Sequence, residues 1–95
     1  MNTIINSEKC RDDEKLEKFI NDKVDKLDRM IDNAVKCEVT LKVDKPESDN
    51  NKIAEIRLYV PGKDLFVTKQ ADTFEQAVAD GVDTLKVQIE KYKNA

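Results

Sequence analysis

Hydrophobic residues recur at intervals of three and four over residues 13–32. This spacing places them on one side of a helix, so it predicts an amphipathic helix packed against a core. Asp12 or Asp13 would accept the free backbone N–H groups of the first turn. Asn33 tolerates the left-handed conformation and is therefore expected to end the helix.

A second helix is predicted over residues 73–93, where apolar residues again recur at helical spacing. Thr73, or Asp72 before it, would be the N-cap, and Gln76 three residues after Thr73 completes a capping-box arrangement. Gly81 falls on the apolar side of this helix, where a missing side chain permits close packing.

Alternation of apolar and polar residues, weaker over residues 64–71, predicts strands after the first helix. A polar loop with Pro46 and a tight Pro-Gly turn separate the strands after the first helix. The predicted strands are 36–43, 53–60 and 64–71, the loop is 44–51, the turn is 61–63, and a further short strand is expected within 2–6.

The predicted order is therefore β-α-β-β-β-α, an α+β fold. Each strand has one apolar face and each helix one apolar stripe. We expect a two-layer sandwich in which both helices cover one face of a four-stranded sheet and the other face is open to solvent. The first strand should lie parallel to the second, because a helix separates them. Residues 1–95 are long enough to form a single domain.

Composition excludes several kinds of chemistry. The chain has no His, so triads, metal clusters and pH switches that need one are excluded. Cys10 and Cys37 have neither CxxC spacing nor a neighbouring His, which favours two buried thiols in a reducing compartment. No P-loop, dinucleotide-binding turn or nucleophile elbow is present. We therefore expect no catalytic residue, no metal site, no cofactor and no enzymatic activity.

Charge and hydropathy indicate a cytoplasmic protein. No stretch approaches the ~18 apolar residues of a membrane span. The net charge of −3 and the pI of about 5.0 argue mildly against a nucleic-acid partner. These totals, however, do not show where on each helix the charges lie.

On a wheel of the first helix, charges of opposite sign fall on different arcs. A basic arc, interrupted by Asp22, spans about 80°; it holds Lys15, Lys18, Lys26 and Arg29. The next arc is acidic and holds Glu17, Asp25, Asp28 and Asp32. Lys23 falls within the apolar arc near Met30, so its stem should extend over the core to reach water. Two interpretations stay open: an ordinary solvated surface, which the wheel alone favours, and a basic edge that binds a polyanion.

Three segments together resemble the ribosome hibernation promoting factors, also described as ribosome-associated inhibitors and formerly as sigma-54 modulation proteins. The segments are FINDKVDKLDRM, CEVTLKV and DTFEQAVADGVDTLKVQIEKYK, and the resemblance extends over about residues 3–93. It implies a fold similar to a double-stranded-RNA-binding domain with an added first strand. Because long members carry a further C-terminal domain, we expect a short-form member.

The resemblance also implies a function. Family members bind the small ribosomal subunit near the decoding region, block messenger and transfer RNA sterically, and silence translation in stationary phase or stress. The implied partners are the small subunit and its rRNA, with a separate ribosome-dimerising factor as a further candidate and with neither DNA nor membrane. The implied rRNA-binding residues are Lys23, Lys26, Arg29, Lys91 and Lys93, joined by Lys18 and Lys86. Thr84, Val87 and Glu90 depart from the family, because Lys or Arg is expected at these positions.

Two other functions need consideration. The first is an acidic protein-interaction module of the same fold that uses its open sheet face or an edge strand and binds no rRNA. The second is an enzyme, which would need a deep pocket with two close carboxylates of shifted pKa.

Overall fold

The computed structural model describes residues 2–7, 14–45, 47 and 49–94. The predicted order of elements is confirmed. In chain order the elements are β1 (Asn2–Ser7), α1 (Glu14–Met30), β2 (Lys36–Val43), β3 (Lys52–Val60), β4 (Lys63–Ala71) and α2 (Phe74–Lys93). The expected caps Asp12 and Asp13, the thiol of Cys10 and the breaker Pro46 lie outside the described residues.

The four strands form one sheet in the order β1-β2-β3-β4. As expected, β1 runs parallel to β2, while β2–β3 and β3–β4 are antiparallel hairpins. The turn between β3 and β4 is tighter than predicted, because Gly62 has a φ of 79° that residues with a side chain rarely adopt. Both hairpin strands therefore extend to the residues next to this turn.

Both helices pack on the same face of the sheet. Val39, Ile56 and Val67 lie opposite one another across β2, β3 and β4, and all three are buried on this face. The helices contribute the rest of the core, and the fully buried helix residues include Ile20, Val24 and Leu27 of α1 and Val78, Leu85 and Ile89 of α2. The α+β two-layer prediction is thus confirmed.

Gly81 sets how closely α2 approaches the sheet. A Cβ atom at this position would lie 2.8 Å from Cδ1 of Ile56 and 3.6 Å from Cγ1 of Val67. Alanine would thus gain about 1 kcal/mol of helix propensity over glycine but would collide with Ile56, which is buried in β3.

We expect the effect of Gly81→Ala to depend on Ile56. In the wild-type background the substitution should be neutral or destabilising. In an Ile56→Val background, which removes the colliding methyl group, it should raise the free energy of unfolding by up to about 1 kcal/mol. Urea unfolding of both single variants and the double variant measures the coupling, which should exceed about 0.5 kcal/mol. Strict additivity would show that the close approach does not constrain the helix.

Cys37 is buried in β2, as expected for a small apolar core residue. Burial, with a smaller contribution from the neighbouring Glu38 carboxylate, raises the pKa of its thiol from 9.0 to about 12. The folded chain therefore keeps a proton that the unfolded chain loses between these two pH values.

This difference in pKa predicts alkaline destabilisation. Above a pH of about 9 the unfolded state binds fewer protons, so the free energy of unfolding should fall by up to about 1.4 kcal/mol per pH unit. Urea unfolding between pH 8 and pH 11, in a Cys10→Ser background, measures this fall. Cys37→Ala should lower stability at every pH but remove the thiol's share of the slope. Parallel pH profiles for the two proteins would contradict the assignment.

Candidate functional site

The cations of α1 form an exposed basic face. Lys18, Lys26 and Arg29 are exposed, and Asp22, also exposed, interrupts the row. Lys23 is only half-exposed, as the wheel predicts for a residue at the border of the apolar arc. Its ammonium nitrogen lies 5.5 Å from the centroid of the Phe19 ring, so the stem covers an apolar side chain while the charge reaches water.

The carboxyl ends of the two helices meet at a groove of about 490 Å³. The residues that line it are Arg29 and Met30 from the end of α1, Ile31, Asp32 and Asn33 from the turn that follows, and Tyr92 and Lys93 from α2. The fold therefore brings the predicted site residues Arg29 and Lys93 together from opposite halves of the chain. Cations are favoured here, because the carboxyl end of each helix dipole is negative.

The lysines of α2 lie on two different sides of the helix. Lys86 and Lys93 are only about 20° apart around the helix, and Lys93 lines the groove beside α1. Lys91 is about 160° from Lys93. It lies on the flank of Gln88, whose side-chain amide donates to the backbone carbonyl of Phe66 in β4, 3.2 Å away. Lys91 therefore faces the outer edge of the sheet, not α1.

Among the described residues, most of these cations form no ion pair. The Nζ atom of Lys86 lies 3.8 Å from a carboxylate oxygen of Asp83, and both side chains are solvent-accessible, so the pair is weak. In the part of the chain that the structure describes, no carboxylate pairs with Lys18, Lys23, Lys26, Arg29, Lys91 or Lys93. These side chains can therefore contact an external anion without breaking an internal ion pair.

The departures from the family leave α2 less basic than α1. Val87 is 55% exposed, as the wheel of α2 predicts, and Glu90 is exposed as well. Thr84 is half-buried. The basic surface accordingly consists mainly of the cations of α1. Lys86 and Lys93 are added from the adjacent flank of α2.

The open face of the sheet has the opposite character, since its cations are engaged across the strands. Two of them form ion pairs, namely Lys42 with Glu55 at 3.2 Å and Arg57 with Asp64 at 3.3 Å. Two lie over aromatic rings, namely Lys36 over Tyr59 at 4.5 Å and Arg57 over Phe66 at 4.8 Å from the ring centroid. Strand alternation predicts which residues share this face, but only the hairpin register pairs Arg57 with Phe66.

Among residues 2–7, 14–45, 47 and 49–94, no cluster of three or more His, Cys, Asp or Glu side chains could hold a metal ion. Within the same ranges, neither helix is both long and apolar enough to cross a membrane.

Comparison with known proteins assigns the family. A family model described as "Sigma 54 modulation protein / S30EA ribosomal protein" matches residues 3–95. The chain belongs to this family. The resemblance found from the sequence is thereby confirmed. Members of the sigma 54 modulation/S30EA family are ribosome-associated factors without enzymatic activity, so the chain is not an enzyme.

Two solved structures share the fold of this family member. A ribosomal subunit interface protein from Coxiella burnetii has 18% identity and a TM-score of 0.85, with 100% of both chains covered. The N-terminal domain of Thermus thermophilus Protein Y has 22% identity and a TM-score of 0.81, with 97% of this chain and 99% of that domain covered. At these identities the likeness establishes the fold alone. The search of curated proteins found no match to the sequence.

Proposed function

We propose that this protein binds the small ribosomal subunit through the basic face of α1 and the adjacent flank of α2. Bound near the decoding region, it excludes messenger and transfer RNA and so inhibits translation in stationary phase or stress, as a single cytoplasmic domain. The family description and the ribosomal subunit interface protein with the same fold support this proposal. The observation that carries it is that Arg29 and Lys93 line one groove between the helix ends, and that neither forms an ion pair among the described residues.

The proposed mechanism is steric. The bound protein occupies the space that messenger and transfer RNA need, and no chemical reaction takes place. Arginine and lysine contacts to phosphate oxygens provide affinity but do not read sequence. Specificity must then come from the fit of the protein to the walls of an RNA cleft. The acidic arc of α1, which lies beside the basic face, would repel RNA that approaches in other orientations.

The contacts of α1 should dominate the affinity. Lys18, Lys26 and Arg29 share one exposed face with the half-exposed Lys23 at its border, and Lys86 and Lys93 lie on the side of α2 next to it. Lys91 stays a proposed contact but approaches from the opposite flank of α2. It would therefore need a second RNA segment at the edge of β4.

The alternative function is a protein-interaction module that uses the open sheet face. The observation that favours it is the exposure of two large apolar side chains on that face, Phe66 at 43% and Ile4 at 39%. Against it, Arg57 already covers the Phe66 ring. Cosedimentation of the purified protein with small ribosomal subunits distinguishes the two, because the alternative predicts none.

Small-subunit affinity should fall steeply as the salt concentration rises. About five phosphate contacts give a log–log slope of roughly −3.5 to −4.5. Lys23→Gln with Lys26→Gln should weaken binding and reduce the steepness of that slope by about 1.4 to 1.8, because two contacts are lost. Equilibrium binding of labelled protein between 50 and 300 mM salt, roughly the range in which such slopes are resolved, provides the measurement.

A matched control is Lys45→Gln with Lys69→Gln, which changes the net charge equally. Lys45 follows β2, and Lys69 lies toward the end of β4 that leads into α2, so both are remote from the carboxyl ends of the helices. Their replacement should leave the slope nearly unchanged. Equal losses in the two double variants would mean that net charge, not the basic face, drives binding.

The two lysines at the end of α2, Lys91 and Lys93, should contribute differently to small-subunit binding. Lys93→Gln should weaken small-subunit binding and reduce the slope by about 0.7 to 0.9, as expected for one lost phosphate contact. Lys91→Gln should have a smaller effect on both, because its side chain faces away from α1. The same titrations measure both variants, and a larger effect at Lys91 would place the RNA at the β4 edge instead.

A further inference from the structure

The groove between the helix ends has features that phosphate binding does not explain. Besides Arg29 and Lys93, the residues that line it include Met30, the buried Ile31 and the half-buried Tyr92. A phosphate contact needs exposed cations, not an apolar wall with an aromatic ring. The volume of about 490 Å³ is within the range of about 300–1,000 Å³ typical of small-molecule sites. A planar group the size of a nucleobase can therefore enter.

Electrostatics inside the groove favours a ligand with N–H donors. Helix α1 ends at Met30 and α2 ends at Lys93, so the carbonyl ends of both helices border the groove. Asp32, an exposed acidic residue, also lines the groove. Negative dipole ends and a carboxylate oppose a phosphate at the centre. They attract amino and imino groups, while the exposed side chains of Arg29 and Lys93 remain at the rim for a phosphate.

Tyr92 contacts both the core and the turn between β3 and β4. Its hydroxyl donates to the carbonyl of Pro61, in the turn between β3 and β4, over 3.4 Å. The side chain is half-buried against the core. A half-buried aromatic side chain loses less freedom on binding than a fully exposed one, which suits Tyr92 to act as a stacking surface.

We propose that this groove binds one unpaired nucleotide of single-stranded ribosomal RNA. The base packs against Tyr92 and Met30, its amino edge donates to Asp32, and its phosphate contacts Arg29 and Lys93. Guanine fits best, because its N1–H and N2–H₂ are adjacent donors that one carboxylate accepts together. This inference rests on the proposed ribosome binding and adds to it a subsite that reads a base.

Asp32 provides the sharpest test, because electrostatics and base recognition predict opposite signs. Removing an acid from a surface that binds a polyanion should strengthen binding. If Asp32 accepts hydrogen bonds from a base, Asp32→Ala should instead weaken small-subunit binding, by roughly fivefold to a hundredfold. Asp32 is exposed, so the substitution does not threaten the core.

The matched control is Asp28→Ala. Asp28 is an exposed acid in the last turn of α1, four residues before Asp32, but it does not line the groove. Its replacement makes the same charge change and should leave affinity unchanged or slightly tighter. Equal tightening by Asp28→Ala and Asp32→Ala would overturn the inference while leaving the proposed ribosome binding intact.

Tyr92 provides an independent test through the salt dependence of small-subunit binding. Tyr92→Leu should lower affinity roughly fivefold to a hundredfold at every salt concentration, because stacking involves no counterion release. The log–log slope should stay that of the wild type. Tyr92→Phe keeps the ring and should bind within about twofold of the wild type. Thermal unfolding of each variant verifies that the binding assays use folded protein.

The outcomes are distinguishable. If the wild type does not bind small subunits, the proposed function fails and this subsite fails with it. If the wild type binds and Tyr92→Leu is as tight, only the subsite is overturned. A loss in Tyr92→Leu without a loss in Asp32→Ala would indicate an apolar contact from a ribosomal protein and would overturn base recognition. Losses in both, with wild-type affinity in Asp28→Ala, support the inference.

Discussion

The close packing of α2 against β3 and β4 is the contact on which the rest of the structure depends. Gly81 lets the helix backbone approach so closely that a methyl group at this position would meet Ile56 at 2.8 Å. Helix α1 packs on the same face of the sheet as α2. The position of α2 therefore decides which sides of the two helices become neighbours. The groove at the two carboxyl ends is a direct consequence of this packing.

Charge segregation explains how a chain of net charge −3 can offer a surface for RNA. At physiological ionic strength, interactions between exposed charges are screened within about 8 Å, so an approaching phosphate responds to nearby charges more than to the total. On the open sheet face, cations are paired with carboxylates or lie over aromatic rings. On the helix side, Lys18, Lys26 and Arg29 form no ion pair with any residue that the structure describes, and the attraction is therefore local.

The departures from the family shift the balance between the two helices. With Thr84, Val87 and Glu90 at positions where basic residues are expected, α2 contributes Lys86 and Lys93 to the shared surface, and α1 supplies the larger share. A basic surface that is supplied mainly by one helix makes fewer phosphate contacts than one supplied equally by both helices. Contacts in the groove that do not depend on charge would then contribute relatively more to the total affinity.

The sequence by itself determined the elements, their order and the residues that face the core, because hydrophobic periodicity reports directly on burial. It also predicted the sorted charges of α1, the border position of Lys23 and the close packing at Gly81, since each depends on one helix alone. Only the tertiary structure decided that Lys93 meets Arg29 while Lys91 faces away, and that Met30, Asp32 and Tyr92 line one groove. A helical wheel gives angles within a helix. The rotation of one helix relative to another depends on side chains distant in sequence, which no local pattern contains.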